Sequence, residues 1–398
     1  MDPARLQEIL ARKRAEEAAA PGGPALTEVE PFRVPAQTSE LARDILDAAP
    51  ARRLSGGELL VLFEEAALPD LAAAAHASRR LRADPEVATY LLEASVVTTG
   101  RAAGPGEGGA AADDREDRAR LLSRDEVLVQ CRTAAQAGGH RIRLHGSFHP
   151  GASIEFWVEL LGTIRAEFTE LRVHGLSPEE VQHAARTSGM ATREALAHLR
   201  AAGLHGLAGD AGLLSDRVRA LVTPDSRSSD DWLATMEEAH GVGLAGGLGM
   251  EFRHVETYPE RVAHLIRSRE SQDRTGGYRE FVSRPMPDDH PRLEEWPEFR
   301  AQVEKHGQTA ALDHLRTLAI SRIALDNLPV IQSSCDLPGG TIGQLGLLHG
   351  ASELLVTLPV TAAAPEDIAG RRALTPADLE ALITGVGFRA MSRSQAGW

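Results

Sequence analysis

At 398 residues the chain exceeds one small core and suits one large barrel with an extension; its 42% hydrophobic content suffices for globular packing. A formal net charge of −14 argues against a nucleic-acid surface and against a polybasic membrane patch, both of which need clustered Lys and Arg. With only two cysteines, Cys131 and Cys335, a disulfide framework is excluded and a reducing cytoplasm is the expected home.

In chain order, residues 3–20 are rich in Ala, Glu and Arg and predict a solvated helix. Ala20-Pro-Gly-Gly-Pro24 ends it, because neither Pro nor Gly continues a helix cheaply. Residues 1–37 therefore form a first helix and linker, and 38–90 a helical extension, with Ser39 to Leu81 helical throughout. Ser55-Gly-Gly-Glu58 is a capping box, followed at helical spacing by Leu59, Leu60, Leu62, Phe63 and Ala66. The opening residues carry charge and no apolar signal core, and no apolar run is long enough to span a bilayer.

The pattern then changes to short apolar runs alternating with helices. Strands are predicted at 94–98, 141–145, 171–175, 204–208, 243–249, 279–284, 329–333 and 353–357. Ser123-Arg-Asp-Glu126, Ser177-Pro-Glu-Glu180 and Thr375-Pro-Ala-Asp378 mark helix starts between or after them. Trp157, Leu160, Leu161 and Ile164 form one helical stripe, and Val262, Leu265, Ile266 and Arg269 another. Eight strands, each followed by a helix, predict a (β/α)8 TIM-type barrel over 91–398. Gly100 to Arg120, directly after the first strand, reads as an exposed loop at the mouth of that barrel. Its Gly104-Pro-Gly-Glu-Gly-Gly109 is no phosphate cradle: Pro removes an amide, Glu107 repels phosphate, and no Gly-Lys-Ser/Thr follows.

Several stretches carry a family resemblance. They are His145-Gly-Ser-Phe-His-Pro150, Val173-His-Gly-Leu-Ser-Pro-Glu-Glu180, Ala202-Gly-Leu-His-Gly-Leu207 and Leu214-Ser-Asp-Arg-Val-Arg219. Trp232 with Glu238-Ala-His240, His254-Val-Glu-Thr257, Arg269-Glu-Ser-Gln-Asp-Arg-Thr-Gly-Gly277 and Leu325-Asp-Asn-Leu-Pro329 with Val330-Ile-Gln-Ser-Ser334 extend it. From about Leu144 to Arg389 the chain resembles the radical S-adenosylmethionine enzymes of the futalosine route to menaquinone. Dehypoxanthine futalosine cyclase and aminofutalosine synthase are nearest, and the deazaflavin-forming FO synthase subunits more distant. The resemblance implies a barrel of the radical S-adenosylmethionine kind.

Three departures qualify what that resemblance implies. The family's cysteine triplet, spaced by three and then two residues, falls on Ala102, Gly106 and Gly109. Ala and Gly cannot ligate iron, Cys131 sits inside the following helix, and Cys335 lies beyond the seventh strand, so a 4Fe-4S cluster is expected to be absent. The family's Pro-Gly-Gly-Gly-Ala-Glu stretch is here Ala208-Gly-Asp-Ala-Gly212, without the glutamate that holds S-adenosylmethionine, which puts that cofactor in question. The stretch near the last strand is Gly350-Ala-Ser-Glu-Leu-Leu-Val-Thr357 in place of the family's Gly-Ala-Asn/Asp-Asp-Leu-Gly-Gly-Thr.

The expected role is therefore a cluster-less binding or partner protein, a pseudoenzyme of the menaquinone route. Its expected partner is an active radical S-adenosylmethionine paralogue or another protein of that route, and its expected ligand nucleoside-like. The alternative is an enzyme of changed chemistry, acid–base or metal-assisted, in the same pocket. For that alternative His254, Glu256 and His145 are the catalytic candidates, because imidazole and carboxylate at strand ends can exchange protons or bind a metal. His149, His174, Arg269, Asp326 and Asn327 are the further pocket candidates. Against them stand plainer readings: Asn327-Leu-Pro329 is a natural helix stop, Arg269, Gln272 and Asp273 suit a helix C-terminus, Cys131 suits packing, and Trp232 an anchor of helix on barrel.

Overall fold

The structure, a computed structural model, describes residues 35–101, 119–145, 148–209, 212–223, 227–286, 310–336, 339–358, 360 and 374–397. Three helices open it: α1 (Glu40–Ala48), α2 (Gly56–Glu65) and α3 (Leu68–Arg80). They are separate helices, not one continuous helical stretch. The Ser55 capping box starts α2, and Ala66 and Ala67 turn the chain with extended backbone before Pro69 restarts it.

Eight parallel strands then close into a ring. They are β1 (Val87–Val97), β4 (Arg141–His145), β5 (Arg172–Gly175), β6 (Gly206–Leu207), β7 (Ala245–Phe252), β8 (Tyr278–Pro285), β9 (Val330–Ser334) and β10 (Glu353–Leu358). The register runs Glu93↔Arg141 on one side of β1 and Leu91↔Leu355 on the other, which shuts the barrel. Each predicted strand is present, but β1 begins at Val87 rather than at 94, within the expected helical extension.

Helices cover the ring: α4 (Arg124–Gln136), α5 (Ile154–Glu167), α6 (Pro178–Thr187), α7 (Thr192–Ala202), α8 (Asp216–Val222), α9 (Ser229–Gly241), α10 (Tyr258–Thr275), α11 (Ala310–Ala324) and α12 (Gly339–Leu348). The first predicted stripe is buried, with Trp157, Leu161 and Ile164 each at most 1% exposed, as are Leu265 and Trp232; in the second stripe Val262 and Ile266 lie against Gly56 of the extension. After β10, α13 (Pro376–Gly385) leads into two elements that the hydrophobic pattern does not mark. Strand β11 (Arg389–Ser392) pairs with the first half of β1, and α14 (Arg393–Ala396) follows it. Because β4 occupies the second half of β1, β11 fills the gap beneath β4.

The mouth lies at the strand C-termini. There β2 (Thr99–Arg101) and β3 (Ala119–Leu121) pair antiparallel, Thr99 opposite Leu121. The expected loop Gly100–Arg120 is thus paired at its two ends, and Ala102, Gly106 and Gly109 lie outside the described residues. Among the described residues no helix is long and apolar enough to cross a membrane.

Buried arginines join the extension to the barrel through backbone carbonyls. Arg316 on α11 donates to Leu62 O at 3.1 Å, Phe63 O at 2.7 Å and Ala66 O at 2.8 Å, satisfying the orphan end of α2. Arg79 on α3 donates to Ala351 O and Val87 O and lies 4.4 Å over the Phe388 ring. Replacing Arg316 by Met removes the donors and leaves those carbonyls buried. We expect Arg316→Met to cost about 2–4 kcal/mol in urea unfolding with an unchanged far-ultraviolet spectrum. A cost within measurement error would refute the capping role.

Candidate functional site

Barrel strands buried on both faces ordinarily read as continuous apolar runs, and barrel interiors are ordinarily branched aliphatic layers. Here β4 alternates Arg141-Ile-Arg-Leu-His145. Ile142 and Leu144 are 0% exposed and belong to the outer core, while Arg141 and Arg143 line the lumen. The same period of two puts Glu93 of β1, Glu280 and Arg284 of β8 and Gln332 of β9 inside the ring.

These charges form one layer. Arg141 donates to Glu93 Oε2 at 2.5 Å and to Glu280 Oε1 at 2.6 Å. The second and sixth strands of an eight-membered ring face each other, so Arg141 spans the lumen from β4 to β8. Arg393, brought in by α14, donates Nε to Glu353 Oε1 at 2.6 Å, Nη2 to Glu353 Oε2, and Nη1 to Glu280 Oε2 at 3.4 Å. Arg143 Nε stands 3.2 Å from Glu93 Oε1, an ion pair without hydrogen-bond alignment. Leu91, Val282 and Leu355 make a small apolar cluster of their own inside the ring.

Burial opposes ionisation of Glu93 and Glu280, but the facing arginines outweigh it and hold both carboxyl groups at about 2. His174 goes the other way: burial first, then Arg141, pushes it down to about 3, so it is a neutral imidazole at neutral pH. Gly206 makes its place, since a Cβ there would sit 3.0 Å from the ring and 2.8 Å from Ala245 O. The cavity among these residues offers about 30 Å³ to water, enough for one or two water molecules and not for a nucleoside. The layer is a charged floor, and a ligand entering from the mouth would rest above it.

At the mouth, His254 and Glu256 follow β7 and are 1% and 0% exposed. Glu256 Oε1 accepts from Arg253 N at 2.8 Å and from Arg261 at 2.7 and 3.0 Å; Oε2 accepts from His254 N at 2.9 Å. His254 Nδ1 lies 2.7 Å from Oε2 and 3.0 Å from Val255 N. One nitrogen cannot both donate and accept, and we assign its proton to the bond with the anionic carboxylate. Arg261 goes on to Asp313 at 2.7 Å, and Arg253 holds φ +70, a strained value for a side-chain-bearing residue. The carboxylate is saturated by donors, so the pair braces the end of β7 and offers no acceptor to a substrate.

The other candidates are dispersed. His145 ends β4, and its carbonyl accepts from Thr98 N at 3.0 Å and Oγ1 at 2.9 Å. His149 lies in the loop before α5, its Nδ1 accepting from Gly151 N at 2.9 Å. His174 sits in the floor, below the strand ends expected for it. Arg269, Asp326 and Asn327 are at the opposite end of the barrel, where α10 and α11 finish before β8 and β9. Arg269 donates to Leu54 O at 3.0 Å and Ala324 O at 3.2 Å. Asp326 pairs with Arg53 at 2.8 Å, and Asn327 donates to Arg269 O at 2.8 Å. Arg269 and Asp326 tie the extension to the barrel, Asn327 joins α10 to the turn before β9, and none of the three reaches the mouth. Among the described residues no three His, Cys, Asp or Glu side chains gather as a metal site. The floor arginines and glutamates were missed as site residues, although the charge alternation in Arg141–His145 signals them.

The thiols do not fit iron–sulfur ligation. Cys131 is 0% exposed within α4, and burial pushes it up to about 12. Cys335 is 3% exposed after β9 and is pushed higher still; its sulfur fills the space a Cβ at Gly343 would take, 2.5 Å away. Both are neutral packed thiols, whereas a cluster needs convergent thiolates.

Three buried histidines make the fold sensitive to acid. Burial is the first cause in each, holding His174 and His264 at about 3 and His314 at about 4. An unfolded histidine takes its proton near pH ~6.5, so below that pH the unfolded chain binds more protons and stability falls. Glu93 and Glu280 lose their contribution only further down, between about 4.5 and about 2. From about pH 7 to about pH 5 we expect about 2 kcal/mol lost per such histidine, read as a falling urea midpoint. A midpoint flat across that interval would contradict these burials.

No protein-family profile matches the chain. It is 36% identical over 316 residues to the cyclic dehypoxanthine futalosine synthase of Streptomyces coelicolor, covering 78% of this chain and 77% of that enzyme. It is 33% identical over 283 residues to a 5-amino-6-(D-ribitylamino)uracil–L-tyrosine 4-hydroxyphenyl transferase of Methanosarcina barkeri, covering 70% of this chain and 72% of the relative. Among solved structures, the FeFe-hydrogenase maturase of Carboxydothermus hydrogenoformans aligns with TM-score 0.64 and 14% identity over 97% of this chain and 82% of its own. Methylornithine synthase aligns with TM-score 0.63 and 15% identity over 89% and 98%. Those two structures support the barrel, and the curated relatives supply the kinship. The chain belongs to the radical S-adenosylmethionine barrel family that includes cyclic dehypoxanthine futalosine synthase.

Proposed function

We propose that this protein is a cluster-less member of its family, a pseudoenzyme that keeps the barrel and acts as a binding or partner protein. The single observation carrying the reading is the donor set. Ala102, Gly106 and Gly109 stand where the family's cysteines would, and the chain's two cysteines are buried neutral thiols. Reductive cleavage of S-adenosylmethionine needs an electron from a cluster, and no described side chain offers a substitute. The proposed context is the menaquinone route of the futalosine-forming relative, beside an active paralogue or another protein of that route. The proposed ligand is nucleoside-like and sits above the charged floor.

Repurposed acid–base chemistry is the weaker reading. Glu256, its best base, already accepts from Arg253, His254 and Arg261 and is 0% exposed. Anaerobic treatment with iron and sulfide, followed by iron analysis and electron paramagnetic resonance after dithionite, tests the proposal. We expect substoichiometric, adventitious iron and no reduced-cluster signal. A stoichiometric four-iron cluster would end it.

A further inference from the structure

The end of the barrel opposite the mouth holds a second cavity. It offers about 530 Å³ to water and is bounded by the loops entering β5, β6, β7 and β8. Its inner wall is the underside of the floor, Arg141, Glu280 and Arg393. Its rim carries Arg165 from the last turn of α5, Arg172 opening β5, Arg200 from the last turn of α7, and Arg279 of β8. Glu280 is the one carboxylate among the described lining residues, and Arg141 and Arg393 already pair with it. Arg165, Arg200 and Arg279 have no ion-pair or hydrogen-bond partner among the described residues. Such a cluster is unexpected in a chain of net charge −14.

Helix dipoles explain a basic residue in the last turns of α5 and α7. They do not explain the paths of the side chains. A Cβ at Gly203, where φ is +120, would meet Arg165 Cδ at 3.2 Å, and one at Gly243, where φ is +83, would meet Arg200 Cζ at 3.0 Å. The glycines let both side chains lie across the entry loops and line the cavity. His205 stands among them with Nδ1 accepting from Val173 N at 3.1 Å, and its pKa is lowered by burial, then by Arg172 and Arg165.

We propose that this lower cavity is an anion site for a small phosphorylated molecule. Its volume falls within the range of small-ligand pockets, and guanidinium forks match phosphate oxygens. Concavity selects a small molecule over an extended polyanion, whose charges would have to lie on an open surface. The site is separate from the mouth and does not depend on whether a cluster binds there.

The test is isothermal titration of the purified full chain with sodium pyrophosphate at fixed ionic strength, without added iron. One saturable site is expected, weakened at least about tenfold in Arg200→Ala/Arg279→Ala, since the charge-assisted bonds of two guanidinium groups are lost. Both positions are exposed, so the fold should persist; should the double variant lose its circular dichroism, Arg165→Ala carries the same expectation. Arg124→Ala, at an exposed pair with Glu159 on the mouth side, should leave the affinity unchanged. No saturable heat, or an affinity unchanged in the rim variants, would overturn the proposal.

Discussion

Arg141 is the residue on which the interior depends. It reaches from one wall of the ring to the wall opposite, holding Glu93 and Glu280 at once. A guanidinium in so dry a place is costly unless its charge and donors are met, and removal of one partner from such a network typically costs about 3–5 kcal/mol. That cost couples parts of the chain far apart in sequence. Glu280 also meets Arg393, Arg393 meets Glu353, and Glu353 accepts from Gln332 at 3.2 Å and from Thr89 at 3.1 Å. Five of the eight strands and the terminal helix α14 are thereby in one electrostatic unit. The floor divides the barrel into a mouth above and an arginine-rimmed cavity below, which is why the two proposals concern different ends of one molecule.

The same residue type does different work outside the lumen. Arg79, Arg269, Arg316 and Arg322 are buried and donate chiefly to backbone carbonyls: Ala351 and Val87, Leu54 and Ala324, the end of α2, and Gly350 with Leu328. A planar, multi-donor side chain suits helix ends and strand entries, where carbonyls have no regular partner. Burial lowers the pKa of these arginines, with Arg322 falling to about 9, still well above neutrality. The extension α1–α3 is therefore fastened to the barrel by hydrogen bonds as well as by its apolar face. Arg53 adds a more exposed clasp to Asp273 and Asp326.

The barrel was legible because its strands and helices differ in period. Trp157–Ile164 and Val262–Arg269 repeat at helical spacing, and the capping boxes at Ser55, Ser123, Ser177 and Thr375 form as written. The start of β1 was overlooked although Asp84-Pro85 is a turn signal just before it: Val87-Ala-Thr-Tyr-Leu-Leu-Glu93 mixes strand formers with the good helix formers Ala, Leu and Glu, and its helical reading prevailed. Strand β11 was not legible: its Arg389-Ala-Met-Ser392 has little apolar character and is specified by its pairing with β1. The candidate site was half visible. His254 and Glu256 do meet, but a sequence cannot show that Arg261, eight residues from Arg253 and on the next helix, fills the carboxylate. Arg269, Asp326 and Asn327 were counted among the pocket candidates, while the direction of α10 and α11 takes them to the other end.

The architecture also explains how a family barrel can change its loop after β1 without losing its fold. The ends of that loop are pinned: Thr99 pairs with Leu121, Leu122 N donates to Thr98 O at 2.8 Å, and Thr98 in turn bonds His145 O. With the stem closed by β2 and β3, the cost of closing a loop there rises only slowly with loop length. Cysteine ligands in such a loop would be held for chemistry and not for stability. Their replacement by Ala and Gly would leave the ring's pairings in place, whereas replacing Arg141 would take from Glu93 and Glu280 the partner they share.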